Sequence, residues 1–131
     1  MAAVVMSLGS NCDGRNNILM AERMLEGIFS AIVFSDMIVT EAVGMPQGTP
    51  QYTNVVGVGQ TALSLDELTA ETKRIERIMG RSKSAGLHDM VQIDIDILQY
   101  GTVRYRRQDW QREYNIRLMR EMDIPVCTKY Q

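Results

Sequence analysis

The stretch Gln92-Ile93-Asp94-Ile95-Asp96-Ile97-Leu98 alternates apolar and acidic residues with a period of two. A helix would scatter such a pattern around its circumference. A strand instead places Ile93, Ile95 and Ile97 on one face and Asp94 and Asp96 on the other. The chain must therefore contain a sheet with a buried side and a side that tolerates carboxylates. Two strand steps set the aspartates roughly 6.5–7 Å apart along the chain. That suits two carboxylates sharing a pair of divalent cations, which sit roughly 3.5–4 Å apart in two-metal sites. The alternation alone equally fits an ordinary half-buried strand with an acidic outer face.

The sequence has 131 residues, enough for one core and too few for two, so residues 1–131 are expected to form a single domain. Hydrophobic residues make up 45% and charged residues 23%, a globular composition. A net charge of −2 and the lack of a long basic stripe argue against nucleic acid binding. The short basic cluster Arg104, Arg106 and Arg107 around Tyr105 reads as a solvated face, not a polyanion site. No run approaches the ~20 apolar residues of a membrane span, and the first residues lack a charged region ahead of Val4-Val5-Met6, so no membrane partner is expected. Two cysteines, Cys12 and Cys127, fit a reducing cytoplasm better than a disulfide scaffold. The ten methionines read as core filler. Oligomeric state is not legible.

Ala3 to Leu8 reads as a strand closed by the turn composition Gly9-Ser10-Asn11. After Asp13-Gly14, the positions Ile18, Ala21, Leu25 and Ile28 follow helical spacing, with Met24 beside them. Residues 32–43 read as one strand, and the Gly- and Pro-rich residues 44–50 as a loop. Tyr52 to Gln60 is a further strand, and Gly57 and Gly59 on one face predict close approach by a neighbour. Ser64-Leu-Asp-Glu67 is a capping box, opening a helix with the apolar stripe Leu65, Leu68, Ile75 and Met79 and stopped by Gly80. Residues 81–90 lack apolar periodicity and read as a loop. Its His88, with no second histidine nearby, is not expected to bind metal. Asp109 is expected to cap a last helix over 109–122 carrying Trp110, Tyr114 and Leu118 on one stripe. The order β-α-β-β-α-β plus a C-terminal helix predicts an α+β fold, a ferredoxin-like antiparallel sheet with helices on one face. Neither a Walker loop nor GxGxxG is present.

Taken together these segments resemble the 6-hydroxymethyl-7,8-dihydropterin pyrophosphokinases. The resemblance is carried by Ser7-Leu-Gly-Ser-Asn11 with Asp13-Gly-Arg15, Thr40-Glu-Ala-Val-Gly44, Pro50-Gln-Tyr-Thr-Asn54, Leu63-Ser-Leu-Asp-Glu-Leu68, Arg74-Ile-Glu76, Gly80-Arg81 and Ile93-Asp-Ile-Asp-Ile-Leu98, in family order. It implies an enzyme that moves the β,γ-diphosphate of ATP onto the hydroxymethyl group of a reduced pterin and releases AMP. Asp94 and Asp96 match metal-binding aspartates that would hold two Mg²⁺ ions. Arg81 matches an arginine on the triphosphate, and Lys83 a second one, although lysine lacks the bidentate fork. Lys73 and Glu76 match the nucleotide side. Asn54 matches a residue bonding the pterin edge, Tyr52 an aromatic beside the ring, and Val43 and Gly44 the loop closing over it.

Each position also has a plainer reading. Arg81 can neutralise its helix end, Tyr52 can be a core aromatic, and Asn54 a turn residue. Lys73 and Glu76, three apart on a helix, read best as a surface ion pair. The resemblance also has gaps. Val91 stands where the family places an arginine ahead of the first aspartate, and Ala42 where proline is common. No histidine follows His88, and the expected Pro-His loop and later arginine are replaced by Arg104-Tyr-Arg-Arg-Gln-Asp-Trp110. The metal site looks intact, whereas the phosphate clamp does not, so a non-catalytic pterin- or nucleotide-binding module on the same fold is the alternative.

Overall fold

A computed structural model of the chain describes residues 1–41, 51–80 and 90–125. The elements run β1 (Ala2–Ser10), α1 (Gly14–Glu26), β2 (Ala31–Phe34), β3 (Ile38–Thr40), β4 (Tyr52–Thr61), α2 (Leu65–Ile78), β5 (Asp94–Tyr100), β6 (Val103–Arg104), α3 (Arg107–Trp110) and α4 (Glu113–Glu121). They build one antiparallel sheet in the order β2-β4-β1-β5-β6, with β3 beside β4 next to β2. The α+β sandwich with an antiparallel sheet is the expected architecture. No helix among the described residues is long and apolar enough to cross a membrane.

β1 is central because it is apolar on both faces. Val4, Met6 and Leu8 enter a core with Ile18, Ala21 and Leu25 of α1 and Leu68 and Ile75 of α2. Val5 enters a second core with Val56, Leu98, Trp110, Leu118 and Met119. The helices thus cover both faces, α1 and α2 on one and the C-terminal pair on the other, which corrects the expectation of helices on one side only. The capping box forms as read: Ser64 Oγ accepts from Glu67 N at 3.1 Å, and Ser64 N donates to Glu67 Oε1 at 2.8 Å. Gly80 follows that helix with φ +88°.

The strand expected over residues 32–43 is two strands. Phe34 lies opposite Gly57 but Ile38 opposite Asn54, so β2–β3 carries one residue more than β4. Ser35 makes this possible. Its Oγ accepts from Val56 N at 2.9 Å while its own N–H donates to Val56 O, so a side chain replaces a ladder carbonyl and the strand kinks. The approach expected at Gly57 and Gly59 comes from β2 and its flanks. A Cβ on Gly59 would stand 2.6 Å from the Ala31 carbonyl oxygen and 2.9 Å from the Phe29 ring.

The helix expected over 109–122 is also broken. α3 is a single turn, and α4 restarts after Arg112, whose φ and ψ of −69° and 133° are extended. Trp110 explains the break. Its fully buried indole Nε1 donates to both Leu98 O and Tyr105 O at 3.0 Å, which locks α3 against β5. Asn115 Nδ2 then caps the Asp109 carbonyl at 2.8 Å. Asp109 therefore does not cap a long helix.

Candidate active site

Strand parity decides which side chains meet. Tyr52 and Asn54 on β4, Ser7 and Gly9 on β1, and Asp94 and Asp96 on β5 point to the sheet face that carries α3 and α4. There they line one open cleft of about 230 Å³. The register makes the connection direct, because Gly9 pairs with Asn54 on one side and Asp94 on the other, and Ser7 pairs with Asp96. With strands roughly 4.8 Å apart, Asn54 and Asp94 are separated by roughly 10 Å. The resemblance assigns Tyr52 and Asn54 to one ligand and Asp94 and Asp96 to metal, and the fold brings all four to one hollow. Asn54 is buried and donates through Nδ2 to Thr40 Oγ1 at 2.8 Å, so it is a strand residue fixed by β3 and not a turn residue.

The acidic pair is electrostatically strained. Burial, then the neighbouring Asp94 charge, push the Asp96 carboxyl up to about 7, against a partial opposing pull from Arg106. Two carboxyls close enough to hydrogen-bond each other hold a proton near neutrality because both cannot ionise without a counter-charge. A divalent cation would supply that charge, so this donor set fits Mg²⁺. Among the described residues no cluster of three or more histidine, cysteine or acidic side chains converges on one point. Asp94 and Asp96 line the cleft together, with Glu41 and Asp109 also on its wall.

The basic cluster is only partly the solvated face expected: Arg106 and Arg107 are exposed, but Arg106 also reaches the cleft. Arg106 has φ 57° and ψ 56°, a left-handed conformation that costs a non-glycine residue about 1–2 kcal/mol. The turn carries its guanidinium into the cleft, with Nη2 3.5 Å from Asp96 Oδ2 and Nε on Asp109 Oδ2. Asp109 also accepts from Arg112 Nε at 3.2 Å through its other oxygen. Arg104 lies 3.9 Å over the Trp110 ring and bonds Gln99 and the Pro125 carbonyl. Arg107, like Arg106, is exposed. Tyr114, expected on the apolar stripe, reaches the cleft instead. Burial raises its hydroxyl pKa, Arg112 opposes the shift, and Tyr52 is among the groups close enough to add to it. Sequence reasoning missed Asp109, Arg112 and Tyr114 as cleft residues. The i, i+3 spacings Arg106–Asp109 and Asp109–Arg112 were the available signal.

Glu76 is neither exposed nor in this cleft. It is 3% exposed, and its Oε2 accepts from Ile95 N at 2.8 Å, the amide between the two aspartates on the outer edge of β5. Lys73 Nζ lies 3.5 Å from its other oxygen. The pair is real, but the surface reading is corrected: one partner is a buried brace on β5. Val91, which cannot meet phosphate through its side chain, is held by its backbone. Its N–H donates to Asn11 Oδ1 and its carbonyl accepts from Asn11 N at 3.0 Å, which gives the Ser7–Asn11 motif a structural task. Val43, Gly44, Arg81, Lys83 and His88, like Cys127, lie outside the described residues.

An antiparallel α+β sandwich with a strand-borne acid pair and arginines in one open cleft defines a class of domain suited to a metal-bound phosphate ligand. Within that class, the family model described as 7,8-dihydro-6-hydroxymethylpterin-pyrophosphokinase matches residues 5–126, and the chain belongs to this family. It is 34% identical over 110 residues to a folate synthesis bifunctional protein of Chlamydia muridarum, covering 78% of this chain and 24% of the relative. It is 35% identical over 100 residues to a folate synthesis bifunctional protein of Arabidopsis thaliana, covering 75% of this chain and 20% of that relative. The chain thus spans about a fifth to a quarter of the length of the curated relatives it matches. The family's enzymes are pyrophosphokinases that use ATP as co-substrate, with Mg²⁺.

Proposed function

We propose that residues 1–131 act as one pyrophosphokinase domain in folate biosynthesis, transferring diphosphate from ATP to the hydroxymethyl group of 6-hydroxymethyl-7,8-dihydropterin. In this reaction the hydroxymethyl oxygen bonds to the β-phosphorus, the α–β bridge breaks, AMP leaves and the hydroxyl proton passes to solvent. The carrying observation is the shared cleft, in which Tyr52 and Asn54 lie two strands from Asp94 and Asp96 across Gly9. Tyr52 offers a flat face to the pterin and Asn54 an edge contact. Asp94 and Asp96 would hold two Mg²⁺ ions, which when bound neutralise charge on the transferred group. Arg81 and Lys83 supply positive charge to the triphosphate, and Lys73 and Glu76 serve the nucleotide side, Glu76 through the strand it braces. Val43 and Gly44 would contribute to pterin binding, as the resemblance implies. A cytoplasmic setting fits the free thiol of Cys12.

A specific observation favours the second reading, a pterin- or nucleotide-binding module without turnover: the approach to Asp94 carries Val91, pinned to Asn11, where phosphate needs a cation. Chromatographic measurement of AMP decides between them, using purified protein, MgATP and reduced hydroxymethylpterin beside a control without pterin. Pterin-dependent AMP is expected. Folded protein that binds both ligands and releases none would establish the module.

A further inference from the structure

The metal aspartates already have a cation. Arg106 Nη2 sits 3.5 Å from Asp96 Oδ2, and its Nε is fastened to Asp109. Three features set this contact apart from an incidental ion pair. It is reached through a left-handed backbone that a non-glycine residue adopts only where surrounding contacts fix it. The carboxylate it touches is one of the two proposed to hold metal, and like charges cannot share that position. Its anchor, Asp109, is mostly buried and also bound to Arg112, so Arg106 can release Asp96 without leaving the cleft. The side chain itself is half exposed, and five N–H donors leave several free for phosphate oxygens.

We propose that Arg106, anchored by Asp109, is an internal counter-ion that holds Asp96 in the metal-free site and turns to the nucleotide phosphates when divalent metal takes the aspartates. The second half rests on the pyrophosphokinase reading above. The first, competition between guanidinium and metal, rests on the ion-pair geometry and on the metal role proposed for the two aspartates. The exchange leaves Asp96 beside a cation in both states and delivers a positive, bidentate group to the phosphates as the metal arrives. It also provides a cation on the C-terminal side of a clamp that lacks one at Val91.

The test is a calorimetric titration of nucleotide-free protein with MgCl₂ at pH 8, comparing wild type with Arg106→Gly and Arg106→Lys. Glycine removes the side chain and suits the left-handed backbone, so the variant is expected to fold, as a thermal melt will check. Lysine keeps the charge and loses the fork. Removing a competitor of this exposure should tighten Mg²⁺ binding in Arg106→Gly by roughly fivefold, with Arg106→Lys near wild type. Binding of a non-hydrolysable MgATP analogue should weaken in Arg106→Gly by roughly tenfold or more. Opposite signs for metal and nucleotide are the signature, since a merely structural role would weaken both. Unchanged or weaker Mg²⁺ binding in folded Arg106→Gly overturns the proposal. If the signs are as expected for metal but wild type makes no pterin-dependent AMP, the functional reading fails and the counter-ion role stands. If AMP forms and Arg106→Gly binds metal and nucleotide like wild type, the counter-ion role fails alone.

Discussion

Asp96→Asn should stabilise the metal-free protein while destroying its metal site. In the fold the Asp96 carboxyl titrates near 7 and not near its ordinary 3.8, because burial and Asp94 disfavour its charge more than Arg106 favours it. Below about pH 4 the group is protonated both folded and unfolded and costs nothing. As pH rises through 7 the folded state must surrender that proton, and the stability associated with it is lost. The displacement from 3.8 to about 7 corresponds to roughly 4 kcal/mol at about 1.4 kcal/mol per pH unit. The side chain keeps 20% exposure, so solvent screening reduces this to about 1–3 kcal/mol. Asparagine is nearly isosteric, cannot ionise, and escapes that loss. Urea unfolding in chelator should therefore show the two proteins alike at pH 4, with the variant more stable by about 1–3 kcal/mol at pH 8. Adding Mg²⁺ at pH 8 should raise the wild-type midpoint and leave the variant unmoved. A variant less stable than wild type at pH 8 in chelator would refute the reasoning, since the aspartate charge would then be well accommodated without metal.

Glu76→Ala removes the acceptor of the Ile95 amide, leaving a buried N–H unpaired. It should cost about 2–4 kcal/mol in denaturant unfolding and loosen Mg²⁺ binding, whereas Glu76→Gln, which keeps an acceptor, should retain most of both. Gly59→Ala places a methyl 2.6 Å from the Ala31 carbonyl, so β2 must move from β4. We expect a loss of about 1–3 kcal/mol in a thermal melt and little change in ligand affinity. Gly9→Ala should behave oppositely. Its Cβ would meet Asn54 Oδ1 at 3.4 Å and the Tyr52 ring at 3.6 Å, contacts the fold can absorb, but it would stand on the cleft floor. Pterin KM should rise by roughly tenfold or more with nearly unchanged melting.

Much of the fold was legible because its signals are local. Alternation fixed β5 and the face of its aspartates, the Ser64 box fixed the start of α2, and glycine pairs marked where β2 presses on β4. Parity within β5 also sorted Asp94 from Ile95. The register between strands was not legible, and that register is what places Gly9 between Asn54 and Asp94. The errors fall where a side chain takes over a backbone task. Ser35 Oγ replaces a ladder carbonyl and splits one expected strand in two. The Trp110 indole holds two carbonyls and breaks one expected helix in two. Arg106 was misplaced for a different reason: nothing in its residue type announces the left-handed conformation from which it reaches Asp96.

On the proposed function, the rung Asn54–Gly9–Asp94 would let a sheet this small serve both a ring and a phosphate chain. Phosphoryl transfer needs little from the protein except placement and charge, so what matters is the fixed separation between ring contact and metal. Two strand spacings set it at roughly 10 Å, and no loop motion can alter it while β1 stays paired on both sides. A glycine at the middle of the rung leaves the span unobstructed. The C-terminal turn then supplies what the strands lack. None of the strand side chains lining the cleft is cationic, and the cations Arg106 and Arg112 come from the opposite wall, held together by Asp109. The proposed ring and metal contacts thus belong to the sheet, and charge on this wall to a separately anchored turn. The C-terminal segment can therefore depart from the family pattern while the sheet that faces it keeps its arrangement.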